Sequence, residues 1–297
     1  MNLVDVVEHK TTSEDIGPGS FYWRRLTLDP QPAMYHRGML AKGHDVRGIL
    51  YDVLRKPAHR PGKNEGASTF RDRVLTAIAE DPARYYQRGV VSHLESEAED
   101  AAWDTWQTAE SIRLAKHANR WPRYTNSCWE YGRPCDYWDI CSGQTTTDDR
   151  LKFEAVEPKI HLPILLSQSG MKTFRACPRR YQFRYELGLR PRGESDSLKT
   201  GKSIHSALEV WWKTGGDLEA SIAALSHDDP FARAKQDAMM RGYHARWSGD
   251  TFEVIAVEDE FVIPLVNPET GSKSRTFELT GRVDAVARAK DVERKSA

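Results

Sequence analysis

The chain opens on an apolar run, Leu3, Val4, Val6 and Val7, that reads as a buried strand with no cap or lead-in before it. After the Gly17-Pro18-Gly19 punctuation, Asp29–Lys42 carries helical spacing, tolerates Pro32 in its first turn and meets a stop at Gly43. Arg47–Leu54 predicts a short buried strand, Pro57–Gly66 a loop, Thr69–Ala79 a helix and Tyr85–His93 an edge strand. A long amphipathic helix is expected over Glu95–Asn119, with Ala102, Trp106, Ala109 and Ile112 on one face and its Trp residues in the core. Ser127–Gly143 is aromatic and rich in Cys, and Ser142–Arg150 is polar. Ser167 or Ser169 then caps a helix expected to reach Leu187, followed by helices over Lys199–Thr214, Asp217–Leu225 and Phe231–Trp247. From Phe252 the period changes from helical to alternating. Glu253–Val266 and Thr276–Arg288, separated by the turn-like Asn267–Ser274, predict a hairpin. No repeat of the length that builds solenoids is visible.

Composition narrows the possibilities. With 297 residues the chain can bury a substantial core as one large or two small domains. Lys and Arg total 43 and so do Asp and Glu, so any attraction to nucleic acid must come from a local basic face; a histone-like, tail-driven binder is excluded. The apolar stretch Ile160–Leu166 is interrupted by Pro163 and falls far short of the ~20 residues of a membrane span. Asp5 and Glu8 stand where a signal peptide would need a basic and then an unbroken apolar segment, so a cytoplasmic protein without a membrane partner is expected. In that compartment four cysteines are thiols or metal ligands before they are disulfides.

Several residues carry candidate chemistry. Asp284, in Gly281-Arg282-Val283-Asp284, lies within an apolar strand, where an ionised carboxylate is costly unless a cation or hydrogen bonds offset it. In Glu8-His9-Lys10 the two-residue period of a strand puts the carboxylate and the ammonium on one face. His205, four residues after Gly201, can bring an imidazole from a helix. Taken singly, each has a plain structural alternative: a hairpin residue, a surface ion pair and a satisfied histidine. Gly201-Lys202-Ser203 looks like the end of a phosphate-binding loop, but Asp196 stands where its first Gly should be and no strand precedes it, so ATP binding is not predicted. Cys128, Cys135 and Cys141 follow a C-x6-C-x5-C spacing, and Cys177 lies in Cys177-Pro178-Arg179-Arg180-Tyr181; four thiols suit tetrahedral zinc or an iron–sulfur cluster equally, or four unmodified buried cysteines.

Together these motifs resemble the RecB-like exonucleases of the PD-(D/E)XK superfamily, which carry a G-x-x-x-H helix, a G-x-x-D strand, a D/E-x-K strand and a Q-x-x-x-Y helix. Gly201 to His205, Gly281 to Asp284, Glu8-His9-Lys10 and Gln31 to Tyr35 match all four, in rotated order. The resemblance implies an α/β fold of the restriction-endonuclease type, a mixed central sheet flanked by helices, circularly permuted with its ends in a hairpin loop. One composite domain is expected: residues 1–141 as the second part of the core, 142–166 as a linker and 167–297 as the first part. A second E-x-K, Glu293-Arg294-Lys295, lacks an apolar strand before it and follows Asp284 too closely for a returning strand, so Glu8 and Lys10 are preferred.

The C-P-x-x-Y sequence and the Cys triplet resemble the iron–sulfur branch of that family, which includes the AddB nuclease domain and the CRISPR-adaptation exonucleases, although the first gap of the triplet is wider here. What the resemblance implies is a metal-dependent deoxyribonuclease acting on single-stranded DNA or DNA ends, in DNA repair, recombination or phage biology, with a helicase or recombination partner. His205, Asp284, Glu8 and the carbonyl of His9 would ligate Mg2+ or Mn2+, and Lys10 would act beside them. Gln31, Tyr35 and Tyr181 would contact DNA, while Arg175, Arg179, Arg180 and Arg184 would hold phosphates. Cys128, Cys135, Cys141 and Cys177 would bind a structural 4Fe-4S cluster, with zinc as the alternative. A non-cleaving DNA-binding module stapled by cluster or zinc is the competing reading.

Overall fold

In the computed structural model, residues 3–91, 95–130, 132–157, 161–193, 195–250 and 252–289 are described. Ten strands occur among them: β1 (Val4–Thr12), β2 (Val46–Arg55), β3 (Tyr86–Val91), β4 (Trp129–Glu130), β5 (Arg133–Pro134), β6 (Phe153–Ala155), β7 (Ile164–Ser167), β8 (Leu189–Pro191), β9 (Phe252–Val266) and β10 (Lys273–Ala289). The chain divides into two compact units. The first comprises residues 1–93, 195–261 and 282–297, and the second residues 94–194 and 262–281.

In the first unit the strands lie in the order β3-β2-β1-β10. β1 runs parallel to β2, with Glu8 opposite Tyr51 and His9 opposite Asp52, and antiparallel to β10, with Val6 opposite Val286 and Val7 opposite Ala285. β3 closes the other edge antiparallel to β2. Val4 to His9 are buried because β1 has a strand on each side and a helix layer on each face, which is why its sequence reads as an almost continuous apolar run. Val7, Leu50, Ala285 and Ala287 pack against Ile204 and Leu208 of the helix Asp196–Lys213 and against Met240 and Tyr243 of the helix Pro230–Trp247. The helix Pro30–Ala41 buries Met34, Tyr35 and Met39; Asp29 caps it by accepting the Gln31 N–H at 3.0 Å, with Pro30 at the first helical position. The α/β class, the mixed sheet and its four expected strands are all found, and β9 pairs β10 as the expected hairpin.

The second unit differs more from expectation. Its long helix, Glu95–Ala118, turns Ala109 and Ile112 inward as anticipated, together with Ala115, but Ala102 and Trp106 are only half-buried and Trp103 is exposed. The helix expected from Ser167 to Leu187 is broken. Ser167 does cap Gln168–Ala176, accepting the Gly170 N–H at 3.2 Å; Cys177 is then extended, and a short helix Pro178–Tyr181 and a π-turn Gln182–Glu186 follow. Pro178 is the reason, because its ring disfavours helical backbone at the preceding residue. The 142–166 stretch, expected as a linker, contains β6, which pairs antiparallel with β8 and buries Phe153 beside Tyr137, Phe183 and Leu189. β7 runs parallel to Phe277–Thr280 of β10.

Gly242 marks a close helix contact in the first unit, since a Cβ there would stand 2.5 Å from Ile78 Cγ2 and from the Tyr86 hydroxyl oxygen. Tyr86 cannot swing away without giving up its 2.8 Å hydrogen bond to the Met239 carbonyl. Gly242→Ala gains up to about 1 kcal/mol of helix propensity but overpacks the contact at a cost of about 1–3 kcal/mol. A net loss of stability is expected, checked by urea denaturation.

Candidate active site

The ladder between β1 and β10 ends at Val7 and Ala285. One step further, the Asp284 carboxylate takes the place of a backbone partner: its Oδ2 accepts the His9 N–H at 2.6 Å. Glu8 and Asp284 thereby come together from opposite ends of the sequence, on the strand positions expected for the E-x-K and G-x-x-D motifs. Glu8 is 4% exposed, and its Oε1 accepts from the Lys10 ammonium and from Gln31 Nε2, the latter at 3.0 Å. Gln31 Nε2 also donates to the Tyr35 hydroxyl at 2.7 Å, and Lys10 reaches Gln31 Oε1 at 3.4 Å. One helical turn therefore holds both members of Q-x-x-x-Y against the E-x-K strand. His205 approaches from the opposite helix, with Nδ1 3.6 Å from Asp284 Oδ1.

Burial sets the electrostatics. It pushes the Glu8 carboxyl up, and although the Lys10 ammonium opposes this, the nearby Asp284 charge reinforces it. Burial acts to lower the Lys10 pKa, but Glu8 outweighs it and the ammonium is held more firmly than in water. At Asp284 burial is outweighed by the hydrogen bond from His205 and by the neighbouring His9, and the carboxyl is held below its usual range. His205 is shifted up in turn: burial opposes its charge, and Asp284 favours it more.

Two parts of the site were not anticipated from sequence. Asp52, fully buried on β2, lies 3.3 Å from His9 Nδ1; its Oδ2 also accepts from Arg88 at 3.1 Å and from the Tyr243 hydroxyl. Trp212 Nε1 donates to that hydroxyl at 3.1 Å, and Arg88 lies 4.1 Å from the Trp247 ring centroid. Asp52 carries the signal that singled out Asp284, a carboxylate inside an apolar strand, Ile49-Leu50-Tyr51-Asp52-Val53-Leu54. Glu258 is the other: it adopts positive φ, 54°, and pairs with Arg282 at 2.8 Å; burial raises its pKa, opposed by Arg282 and reinforced by Asp284.

The second unit gathers the cysteines. Cys128 and Cys135 flank the β4–β5 hairpin, where the Cys135 N–H donates to the Cys128 carbonyl at 2.9 Å, and Cys141 ends the helix Trp138–Cys141. Ser127 Oγ bonds the Ala176 carbonyl at 2.8 Å, next to Cys177. Burial raises the Cys141 thiol pKa, and the other three cysteines raise it further, so all four share one electrostatic neighbourhood. Among the described residues, however, no three His, Cys, Asp or Glu side chains stand at the spacing of ligands around one ion, either here or around Asp284.

Of the four arginines expected to hold DNA phosphates, two have partners within the protein. Arg179 Nε donates to the Trp121 carbonyl at 3.0 Å, and Arg180 faces Glu130 and Asp136 at 3.8 and 4.0 Å. Tyr181 is buried, stacked between Trp121 and Tyr185 at 5.9 and 5.0 Å, so its ring is a core element rather than a base platform. Arg184 lies 5.8 Å from the Tyr185 ring, and only Arg175 of the four arginines is exposed.

Residues 165–295 match the model of the PD-(D/E)XK nuclease superfamily. The match takes in His205 and Asp284, leaves Glu8 and Lys10 outside, and reaches Glu293-Arg294-Lys295, which lies outside the described residues. It supports phosphodiester hydrolysis by a metal-dependent nuclease acting on nucleic acid. No curated protein and no solved structure matches the chain. No helix among the described residues is long and apolar enough to cross a membrane.

The buried pair behind His9 yields a stability prediction. Asp52→Asn takes from Arg88 its buried partner and leaves it only the part-exposed Asp250, so a loss of about 1–3 kcal/mol, below that of a wholly uncompensated buried charge, is expected in urea denaturation. In the wild type, burial acts to raise the Asp52 pKa and Arg88 outweighs it, holding the carboxyl well below the ordinary range. Its contribution is therefore fully present above the unfolded pKa of about 4 and is lost as pH falls toward the depressed folded value. The wild-type advantage over the Asn variant should narrow as the pH is lowered below about 4.

Proposed function

We propose that this chain is a metal-dependent DNA exonuclease of the RecB-like kind, acting on single-stranded DNA or DNA ends, with its motifs in rotated order along the sequence. The observation that carries the reading is the convergence of Glu8 and Lys10 with Asp284 and His205 on two adjacent antiparallel strands and one helix. The match over residues 165–295 supports the chemistry independently of the two residues it does not reach.

The donor set suits hard divalent cations, being rich in carboxylate and carbonyl oxygen with one imidazole. Glu8 and Asp284 are buried carboxylates whose mutual repulsion a cation would relieve. His205, Asp284, Glu8 and the His9 carbonyl would hold one or two Mg2+ or Mn2+ ions. Bound there, such ions polarise a scissile phosphate and acidify a coordinated water. The chain's own residues prepare the site. Gln31 fixes the Glu8 oxygen and faces Lys10, and Tyr35 fixes Gln31, so the ammonium is held where it can stabilise charge growing on a phosphate. The His9 amide and His205 orient the Asp284 carboxylate between them.

Cys128, Cys135, Cys141 and Cys177 would hold a structural 4Fe-4S cluster, with zinc as the alternative; the shared neighbourhood of the thiols supports a common ligand. Anaerobically purified protein should carry iron, sulfide and visible charge-transfer absorption, all reduced in Cys177→Ser; stoichiometric zinc without colour would decide for the alternative.

The catalytic reading is tested with labelled single-stranded DNA and Mn2+. Lys10→Ala should reduce degradation by at least about 100-fold, the scale of losing one charge-stabilising donor, with circular dichroism unchanged. Lys295→Ala should keep near wild-type activity. The reverse pattern would move the E-x-K role to Glu293 and Lys295, and a wild-type chain that binds DNA without cutting it would favour the non-cleaving module.

A further inference from the structure

A cavity of about 1010 Å3 opens in the first unit, and none of the candidate active-site residues lines it. Ser13 lines it, three residues beyond Lys10, a path of about 10 Å along an extended chain. Thr200 lines it too, five residues before His205, about 7.5 Å along the helix Asp196–Lys213. The strand and the helix that deliver the two sides of the active site thus both lead into this space.

Its inner lining is rich in unanswered donors. Lys56 and Lys235 are half-buried, and no carboxylate lies within ion-pair distance of either ammonium among the described residues; Lys56 donates only to Ser197 Oγ, at 2.8 Å, and Lys235 lies 5.8 Å from the Phe70 ring. Gln236 is 1% exposed, and its Oε1 accepts from Ser203 while its Nε2 has no partner. His227 Nδ1 accepts the Asp229 N–H at 3.2 Å, which places the neutral ring's proton on Nε2, and that buried atom has no partner either. The carboxylates of the lining, Glu80, Asp81, Asp196 and Asp229, are all exposed, and Asp81 and Asp229 are engaged as helix caps. Buried donors without acceptors are uncommon in folded proteins, and a group of them with two unpaired ammonium groups fits an anion with several acceptor oxygens. Burial lowers the pKa of both lysines, a penalty that such an anion would relieve.

We propose that this cavity receives backbone phosphates of the DNA strand next to the scissile position, with Lys56, Lys235, Gln236 and His227 as its donors. The proposal rests on the nuclease reading for its substrate. A strand is favoured over a free phosphate or mononucleotide because two lining residues, Ser13 and Thr200, belong to the chain segments that carry Lys10 and His205, and because the space is large enough for more than one phosphate.

The test measures binding of the full chain to labelled oligothymidylates of about 4 to 12 nucleotides, the span of single-strand-binding grooves, by fluorescence anisotropy in EDTA so that no cleavage is needed. The Lys56→Gln/Lys235→Gln double variant should weaken binding of the longer oligomers about tenfold. Its log–log salt slope should become shallower by about 1.4, the value for two phosphate contacts on a single strand. Lys56→Arg/Lys235→Arg should restore most of both, and Lys213→Gln, an exposed lysine paired with Glu209, should change neither. Wild-type affinity and slope in the double variant overturn the proposal. Displacement of the probe by inorganic phosphate or thymidine monophosphate as effectively as by an oligomer, per phosphate, also overturns it, in favour of a free-anion pocket. Cleavage by the wild type with no binding defect in the double variant would refute this cavity alone. A binding defect without any cleavage by the wild type would leave the cavity standing and remove the nuclease reading.

Discussion

The arrangement of the candidate site depends on one substitution in a hydrogen-bond ladder: where β10 should next offer β1 a backbone partner, it offers the Asp284 carboxylate. The bond joins residues 275 positions apart in the chain, so it forms only after both strands are in register. A slip of one residue would move Glu8 onto the face that Val7 packs against Ile204 and Leu208 and would separate it from Asp284 at the same time. Apolar packing of β1 on both faces therefore fixes the strand, and the fixed strand sets the distance between two carboxylates that repel each other. Electrostatics alone would drive them apart.

Around that pair, charges of opposite sign alternate through the sheet. Lys10 faces Glu8, His205 faces Asp284, and Arg88 faces Asp52 behind His9. Buried ion pairs of this kind are poor sources of stability, because desolvation takes back most of the attraction. Their effect is positional. Each carboxylate keeps a defined set of donors, and Gln31 and Tyr35 add a neutral clamp on the Glu8 side. Arg88, enclosed by Trp212, Trp247, Tyr243 and Phe252, anchors Asp52, and Asp52 in turn faces the His9 ring. The result is a chain of contacts from an aromatic box in the core to the strand that carries the candidate chemistry.

Where sequence signals are local and periodic, they matched the structure. β1, β2, β9 and β10 show the apolar and alternating patterns of buried and half-buried strands, and the helices Pro30–Ala41 and Pro230–Trp247 show caps and first-turn prolines. The close approach of Glu8, Lys10, Asp284 and His205 was legible only through their order as motifs, because spacing within one segment says nothing about which segment lies beside it. Two errors have local causes. The helix expected over 167–187 crosses Pro178, and the proline itself marks the break. The resemblance assigns Arg179 and Tyr181 to DNA, whereas the turn at Cys177 faces them inward onto Trp121. Asp52 shows a third limit: its strand context was visible, but its partners Arg88 and Tyr243 lie on other elements and leave no mark near it in sequence.

The choice between the two E-x-K sequences follows from strand geometry. β10 is described to Ala289, and β1 occupies the position beside Ala285 to Ala287 on the edge toward which Asp284 projects. For Glu293 to take the place of Glu8, the chain would have to reverse within the few residues after Ala289 and displace β1 from a register that buries Val6 and Val7 completely. That exchange would expose two valines and would also open the pairing of β1 with β2, which runs from Val4 to Thr12. At about 1.5–3 kcal/mol for each buried valine, before any ladder bonds are counted, no single ion pair at Glu293 offsets the loss. The same apolar contacts that hold the sheet together therefore argue for Glu8 and Lys10 as the residues beside Asp284.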